Sequence, residues 1–323
     1  MTDQAPFFSD VDEGPAGGQA VWCTAADGVR IRVGWWPVAS DVVGKGTVLI
    51  FPGRTEYIEK YGRDAVDLTA AGYTVLAIDW RGQGLADRTM DNVNIGHVGS
   101  FPDYQLDVGA ALGVARAADL PKPWHLLGHS MGGCIGLRAL HEGLPVASAI
   151  FSAPMWGIQL KAAVRPVAWG IARVGSHLGL GNMMSPGMKE APYPLEFAFK
   201  ANKLTSDRDF YDYMRRQLTR QPELSLGGPS LHWLNLALAE CRDLMQRAAP
   251  DVHALTFLGE DEAIVDSAQI RARMESWPSG ALVMLPAARH EVLMEAPAIR
   301  QAVFARMIPF LDAHGAPDRS RTA

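Results

Sequence analysis

The chain has 323 residues, a formal net charge of −5 and an apolar fraction of 48%, enough for one large domain or two modest ones with an ample core. The acidic balance offers no footprint for nucleic acid. Three cysteines, Cys23, Cys134 and Cys241, are too few and too odd in number for a disulfide framework. They read as buried thiols of a reducing compartment, so a cytoplasmic protein is expected.

The N-terminal "MTDQAPFFSDVDEGPAGG" is acidic and rich in Pro and Gly. It lacks the basic and apolar regions of a secretory signal, and residues 1–19 are expected to be a loose tail. "AVWCTAADGVRIRVGWWPV" reads as two extended runs turning at Asp27-Gly28, a strong hairpin signal. "TVLIFPG" (Thr47–Gly53) is a continuous apolar run followed by helical spacing from about Tyr57 to Ala71. "TVLAIDW" (Thr74–Trp80) leads through a loop to a helix from about Pro102 to Ala118, and "WHLLGHS" leads to a helix over Met131–His141. "ASAIFSAP" (Ala147–Pro154) closes this first block.

Strands apolar on both faces, alternating with helices, predict a mostly parallel sheet covered on both sides. The alternation stops after Pro154 and resumes with "HALTFLGE" (His253–Glu260), a helix from about Ser267, "ALVMLPAA" (Ala281–Ala288) and a helix from Pro297 to about Asp312. The expected layout is therefore a core in two parts, 20–154 and 251–312, interrupted by a helical cap over 155–250, with a second loose tail at 313–323. No stretch approaches about 18 uninterrupted apolar residues, so no segment is expected to span a bilayer.

Ser130 lies between glycines in "GHSMGG", at the carboxyl end of an apolar strand and the start of a helix. In an open parallel sheet, chemistry gathers at that edge. Gly128-His129-Ser130-Met131-Gly132 fits the G-x-S-x-G elbow, a turn tight enough to strain the serine backbone and push its hydroxyl out. A serine hydroxyl needs a base, and nine histidines compete for the role. His125 and His253 begin their strands, at the wrong edge. His129 should point away from its neighbour, and His141 ends its helix. His232 falls in the cap and His314 in the tail. His97, in the loop after the Trp80 strand, is the runner-up. His290, just past the last strand, stands where chain order Ser–acid–His puts the base. "LGEDEAIVDS" offers four carboxylates for orienting it: Glu260, Asp261, Glu262 and Asp266.

An oxyanion hole needs two backbone N–H groups aimed at the developing charge. Met131 supplies one and Arg54, in "FPGRTE", the other. Arg54 is assigned this role through its backbone; its guanidinium reads as a solvated loop charge or as the partner of a nearby carboxylate.

With "FPGRTEYIEKYGRDAVDLTAAGYTVLAIDWRGQGLADR", "GHSMGG", "GEDEAIVDS" and "RHEVLMEA" in view, the chain resembles the α/β-hydrolase superfamily, more narrowly its lysophospholipase L2 and monoacylglycerol lipase group. The cap stretch "NKLTSDRDFYDYMRRQLTRQPELSLGGPSLHWL" is similar to the lysophospholipase-like branch. The resemblance implies an α/β-hydrolase fold, Ser130 as nucleophile, His290 as base, and Arg54 and Met131 as oxyanion donors. Its strand-end pattern G-x-x-(D/E)-x-x-V-D begins at Gly259 and places the acid at Glu262, where many relatives have Asp. Pro52 stands where His is common. The same pattern favours a structural His97 and makes Asp79 and Arg81-Gly82-Gln83-Gly84 turn architecture.

The expected activity is hydrolysis of a carboxylic ester of a lipid-like monoacyl substrate through an acyl-enzyme, with no metal and no cofactor. Met155, Trp156, Trp169, Met183, Met184, Met188, Phe197, Phe199 and Trp233 give the cap flexible and aromatic surface, part of it the cap's own core. Trp156 and Trp233 are the substrate-binding candidates; Lys161 and Arg165 read as solvated charges, with a phosphate head group as the alternative. Peripheral membrane contact through the cap is a further expectation; oligomeric state is left open. Two other readings compete. One is a peptidase or amidase of the same fold, which needs cap carboxylates such as Glu190 or Glu196 for a substrate amine. The other is a non-enzymatic ligand receptor on the same scaffold.

Overall fold

The computed structural model describes residues 3–159 and 180–315. Its centre is a sheet of nine strands: β1 (Asp3–Gln4), β2 (Gln19–Thr24), β3 (Arg30–Trp36), β4 (Gly46–Phe51), β5 (Tyr73–Asp79), β6 (Trp124–His129), β7 (Ser148–Ser152), β8 (His253–Gly259) and β9 (Gly280–Leu285). Their spatial order is β1-β2-β3-β5-β4-β6-β7-β8-β9. The first three and β5 pair antiparallel, and every pairing from β5 through β4 to β9 is parallel. The Asp27-Gly28 turn closes the β2–β3 hairpin, with Thr24 opposite Arg30.

Alternate strand residues face opposite ways, and both faces are dry. Leu49, Phe51, Leu76, Ile78, Leu126 and Phe151 enter one apolar cluster, whereas Val48, Ile50, Val75, Ala77, Leu127 and Ile150 enter another. The first cluster takes in residues of α2 (Tyr104–Ala117), α3 (Met131–His141), α5 (Leu231–Gln246) and α6 (Ser267–Glu275). The second is closed by α1 (Gly62–Ala70) and α7 (Pro297–Ala313). That is why the central strands read as continuous apolar runs instead of alternating ones.

Between β7 and β8 the described chain carries α4 (Arg208–Arg220) and α5. Both are bound to the core by buried polar contacts. Tyr213 Oη donates to the Glu59 carbonyl at 2.9 Å, Gln217 Nε2 donates to Val11 O at 2.9 Å, and Arg138 of α3 pairs with Glu240 of α5.

Residues 3–19 depart from the expected loose tail. β1 pairs with β2, and Asp12, 3% exposed, accepts a 2.9 Å bond from Trp36 Nε1. Arg32, fully buried between Asp79 and Glu59, also donates to Pro6 O at 2.9 Å. The segment lacks apolar periodicity because its partners, polar ones and apolar ones such as Trp36 against Phe7, lie far away in sequence.

Candidate active site

Ser130 adopts φ +49° and ψ −117° between β6 and α3, a region that L-residues avoid and that is retained where surrounding structure enforces it. A Cβ at Gly132 would sit 1.8 Å from Phe51 O, so only glycine lets the elbow press against the end of β4. The Ser130 N–H donates to Ser152 O at 3.0 Å, and Ser130 O accepts from Met155 N at 2.8 Å. The strained backbone is thus pinned to the β7 end from both sides.

The Ser130 hydroxyl lies 2.9 Å from His290 Nε2, and His290 Nδ1 lies 2.7 Å from Glu262 Oε2. Glu262 and His290 come from the loops after β8 and β9, which meet because Gly259 has no Cβ: one there would be 2.2 Å from Ala288 O. The second Glu262 oxygen accepts from Ile264 N at 2.6 Å and Val265 N at 3.1 Å. Burial works against its charge, but His290 and these amides outweigh it and hold the carboxyl below its ordinary range. With a carboxylate at Nδ1, that nitrogen carries the imidazole proton and Nε2 is left to accept from serine. Glu260 and Asp261 are exposed. Asp266 caps α6, accepting from Ala268 N and Gln269 N.

Among the described residues, neither Arg54 N–H nor Met131 N–H has an acceptor. The amides beside Arg54 are engaged: Gly53 N donates to Glu56 and Thr55 N to Gln83 Oε1 at 3.3 Å. Gln83 Nε2 in turn donates to Gly53 O at 2.8 Å and Glu56 O at 3.0 Å, fixing this loop. These two N–H groups are thus left free while their neighbours in the 53–55 loop are engaged.

His97 is placed elsewhere: its Nδ1 is 2.9 Å from Ser230 Oγ, at the start of α5, and its ring stacks on His232. Trp156 and Trp233, expected to line the substrate site, are packed instead, at 1% and 4% exposed. Trp156 Nε1 donates to Gly133 O and its ring lies against Phe151 and Trp277. Trp233 Nε1 donates to Tyr104 Oη at 3.2 Å. An indole whose N–H is engaged and whose faces are covered serves the core. Met183 and Met188 are exposed; Lys161, Arg165 and Trp169 lie outside the described residues.

The Arg54 guanidinium lacks the expected carboxylate partner. No carboxylate lies within ion-pair distance among the described residues. Nη1 donates to Gly227 O at 2.8 Å, and the group lies 5.7 Å over the Trp233 ring.

Sequence reasoning missed a buried charge cluster directly behind the site. Lys60 Nζ contacts Glu56 and lies 2.7 Å from Glu291 Oε1. Tyr61 Oη donates to Glu56. His129 Nε2 stands 3.2 Å from Glu291 and 3.5 Å from Glu56. Burial opposes a charge on His129, yet Glu291 and Glu56 outweigh it and raise the imidazole above its usual 6.5. Glu56, His129 and Glu291 present ligand atoms within 4.8 Å of one another, a set of metal-binding chemistry, but the Lys60 ammonium already bridges the two carboxylates. The available signals were the Glu56–Lys60 spacing of four and two polar residues directly adjoining Ser130 and His290. Lys60→Met should lower the unfolding free energy by about 3–5 kcal/mol, since it strands buried carboxylates. Denaturant unfolding measures this; an unchanged midpoint would mean the cluster does not depend on its lysine.

The family described as "Serine aminopeptidase, S33" matches residues 44–297. Lysophospholipase L2 of Escherichia coli strain K12 is 30% identical over 295 residues, 85% of this chain and 83% of that protein. Monoacylglycerol lipase of Mycolicibacterium smegmatis is 29% identical over 156 residues, 48% of this chain and 52% of that one. Among solved structures, a soluble variant of monoglyceride lipase from Saccharomyces cerevisiae, in complex with a substrate analog, superposes with TM-score 0.70 at 22% identity. It covers 91% of this chain and 95% of its own. A carboxyl esterase from Bacillus coagulans in complex with glycerol gives 0.69 at 14% identity, covering 94% and 100%. These structures show the fold, an α/β-hydrolase.

Proposed function

Since the chain belongs to the family described as serine aminopeptidase, S33, and 30% identity ties most of its length to a lysophospholipase L2, we propose that it is a serine hydrolase of monoacyl lipid esters. The hydrogen-bonded run from Ser130 through His290 to Glu262 carries the proposal. His290 takes the serine proton as Oγ attacks the ester carbonyl. The Arg54 and Met131 amides receive the oxyanion, and water then frees the acyl-enzyme. No step in this route calls on a metal or cofactor.

The family's description names a peptidase, and the site's charge speaks against that use. An aminopeptidase must hold a substrate ammonium with carboxylates. Glu190 is exposed and accepts from Asn92, and Glu196 pairs with Lys189. The buried Glu56 and Glu291 are matched by Lys60 and His129. Arg54, on the oxyanion loop, carries a positive charge with no carboxylate partner among the described residues. Leu180, Met183 and Met188, each exposed within nine residues of chain, suit a peripheral contact with the lipid phase that delivers a monoacyl substrate. No helix among the described residues is long and apolar enough to cross a membrane.

The test is a hydrolysis panel of monoacylglycerols, lysophospholipids, short esters and aminoacyl amides. Each buried CH₂ contributes up to about 0.8 kcal/mol, so kcat/KM should rise from two-carbon to medium-chain esters before the pocket limits it. A steady fall beyond acetyl would favour a small-ester enzyme, and turnover of amides alone would favour the peptidase.

A further inference from the structure

The Arg54 side chain is a cation with no carboxylate partner among the described residues, carried by the residue whose backbone N–H is proposed to receive the ester oxygen. Its only hydrogen bond among the described residues goes to a neutral carbonyl, Gly227 O. The surrounding loops hold it closely: a Cβ at Gly96 would lie 3.2 Å from Nη1. Gly96 itself is tied to the 227–230 turn by Gly96 N to Gly228 O at 3.0 Å and Ser230 N to Gly96 O at 2.8 Å. Beneath it, Trp233 is fixed by Tyr104. Burial lowers its pKa to about 10, which leaves it protonated at neutral pH, and the residue retains partial solvent exposure. A buried charge is normally paired. Here no carboxylate among the described residues supplies that partner.

We propose that the Arg54 guanidinium is a subsite for a phosphate ester on the glycerol of the substrate, while the backbone N–H of the same residue receives the ester oxygen. This rests on the lipid-ester reading above and narrows it to anionic head groups. The reach is suitable. An arginine has as many bonds from its amide nitrogen to its guanidinium carbon as a 1-acyl glycerophospholipid has from its ester carbonyl carbon to its phosphorus. One residue therefore spans both polar groups of such a lipid. A planar fork of N–H donors is the group best matched to phosphate oxygens. A monoacylglycerol with the same acyl chain offers only a hydroxyl there.

The experiment compares kcat/KM for 1-lauroyl-glycerol 3-phosphate and 1-lauroyl-glycerol in wild type, Arg54→Gln and Arg54→Lys. The ratio is the readout, because any effect on the shared oxyanion step divides out. A hydrogen-bonded charge pair of this kind predicts that Arg54→Gln lowers the ratio by about tenfold to a hundredfold, and Arg54→Lys by less, since it keeps a charge without the fork. Glycerol 3-phosphate should inhibit wild-type hydrolysis of p-nitrophenyl butyrate competitively, and inorganic phosphate much more weakly. This arm needs no variant and so decides the matter even if a substitution fails to fold. An unchanged ratio with both lipids cleaved overturns the phosphate subsite and leaves the lipid-ester reading standing. Cleavage of the butyrate with neither lipid accepted overturns both. Absence of glycerol 3-phosphate inhibition overturns the subsite, and equal inhibition by inorganic phosphate assigns Arg54 to a free anion, overturning its role in substrate.

Discussion

Ser130→Ala should yield a folded protein with ester turnover reduced by about four to six decades, the scale of losing a nucleophile in a Ser-His-acid hydrolase. Among the described residues the hydroxyl makes a single hydrogen bond, to His290. The backbone bonds that pin the elbow, to Ser152 and Met155, survive the substitution, so thermal unfolding should be nearly unchanged while kcat collapses. His290→Ala should fall comparably, and the double variant should lose little more, because the two act as one unit. His97→Ala should retain most activity, as its ring nitrogen is engaged at Ser230. Assays with a p-nitrophenyl ester and circular dichroism decide this. Near-wild-type turnover by Ser130→Ala would end the assignment, and the reverse ranking of the two histidines would mean that His97 is the base.

Glu262→Gln should cost roughly four decades of kcat with the fold retained, by comparison with neutralising the acid of a triad. The amide oxygen can still accept from Ile264 and Val265, so the loop is kept. Its NH₂, however, then faces His290 Nδ1 and donates where the carboxylate accepted. The favoured tautomer places the imidazole proton on Nε2, toward Ser130, where it cannot take the hydroxyl proton. Asp266→Asn should cost far less, since Asp266 caps α6 and asparagine caps nearly as well. The Glu262 carboxyl is held below its ordinary 4.5. Its contribution to stability is therefore complete above that pH and disappears as pH falls through the lowered value. The stability difference between wild type and Glu262→Gln should accordingly narrow below about pH 4.5. Full activity in Glu262→Gln would remove the carboxylate from the mechanism.

The two-sided apolar runs "TVLIF" and "AIFS" mark strands that must be covered on both faces, and α3 begins and ends where "GHSMGG" and His141 suggest. These features are legible because strand and helix patterns are local, set by side-chain periodicity over a few residues. The same local grammar places Ser130 at a strand end, in a G-x-S-x-G turn between an apolar strand and a helix. The order Ser130, Glu262, His290 along the chain is also a linear fact, and it places these residues just past the ends of β6, β8 and β9, at one sheet edge.

What the sequence could not carry is every interaction whose partner lies far along the chain. Residues 3–19 look like a tail because nothing local organises them; their order comes from Trp36, Arg32 and α4. Trp156 and Trp233 look like a binding surface because aromatic side chains serve cores and pockets alike, and only packing distinguishes the two. The cluster of Glu56, Lys60, His129 and Glu291 reads as scattered charge until three loops converge and burial makes each charge depend on the others. Sequence alone determined the central sheet and put Ser130 and His290 at its reacting edge, because periodicity and chain order are written along one dimension; the choice of Glu262 among four nearby carboxylates came from the family resemblance and rests on its 2.7 Å approach to His290. The tertiary structure alone decided which charges are matched and that Arg54 is not, because electrostatic pairing depends on distance through space and on the exclusion of water.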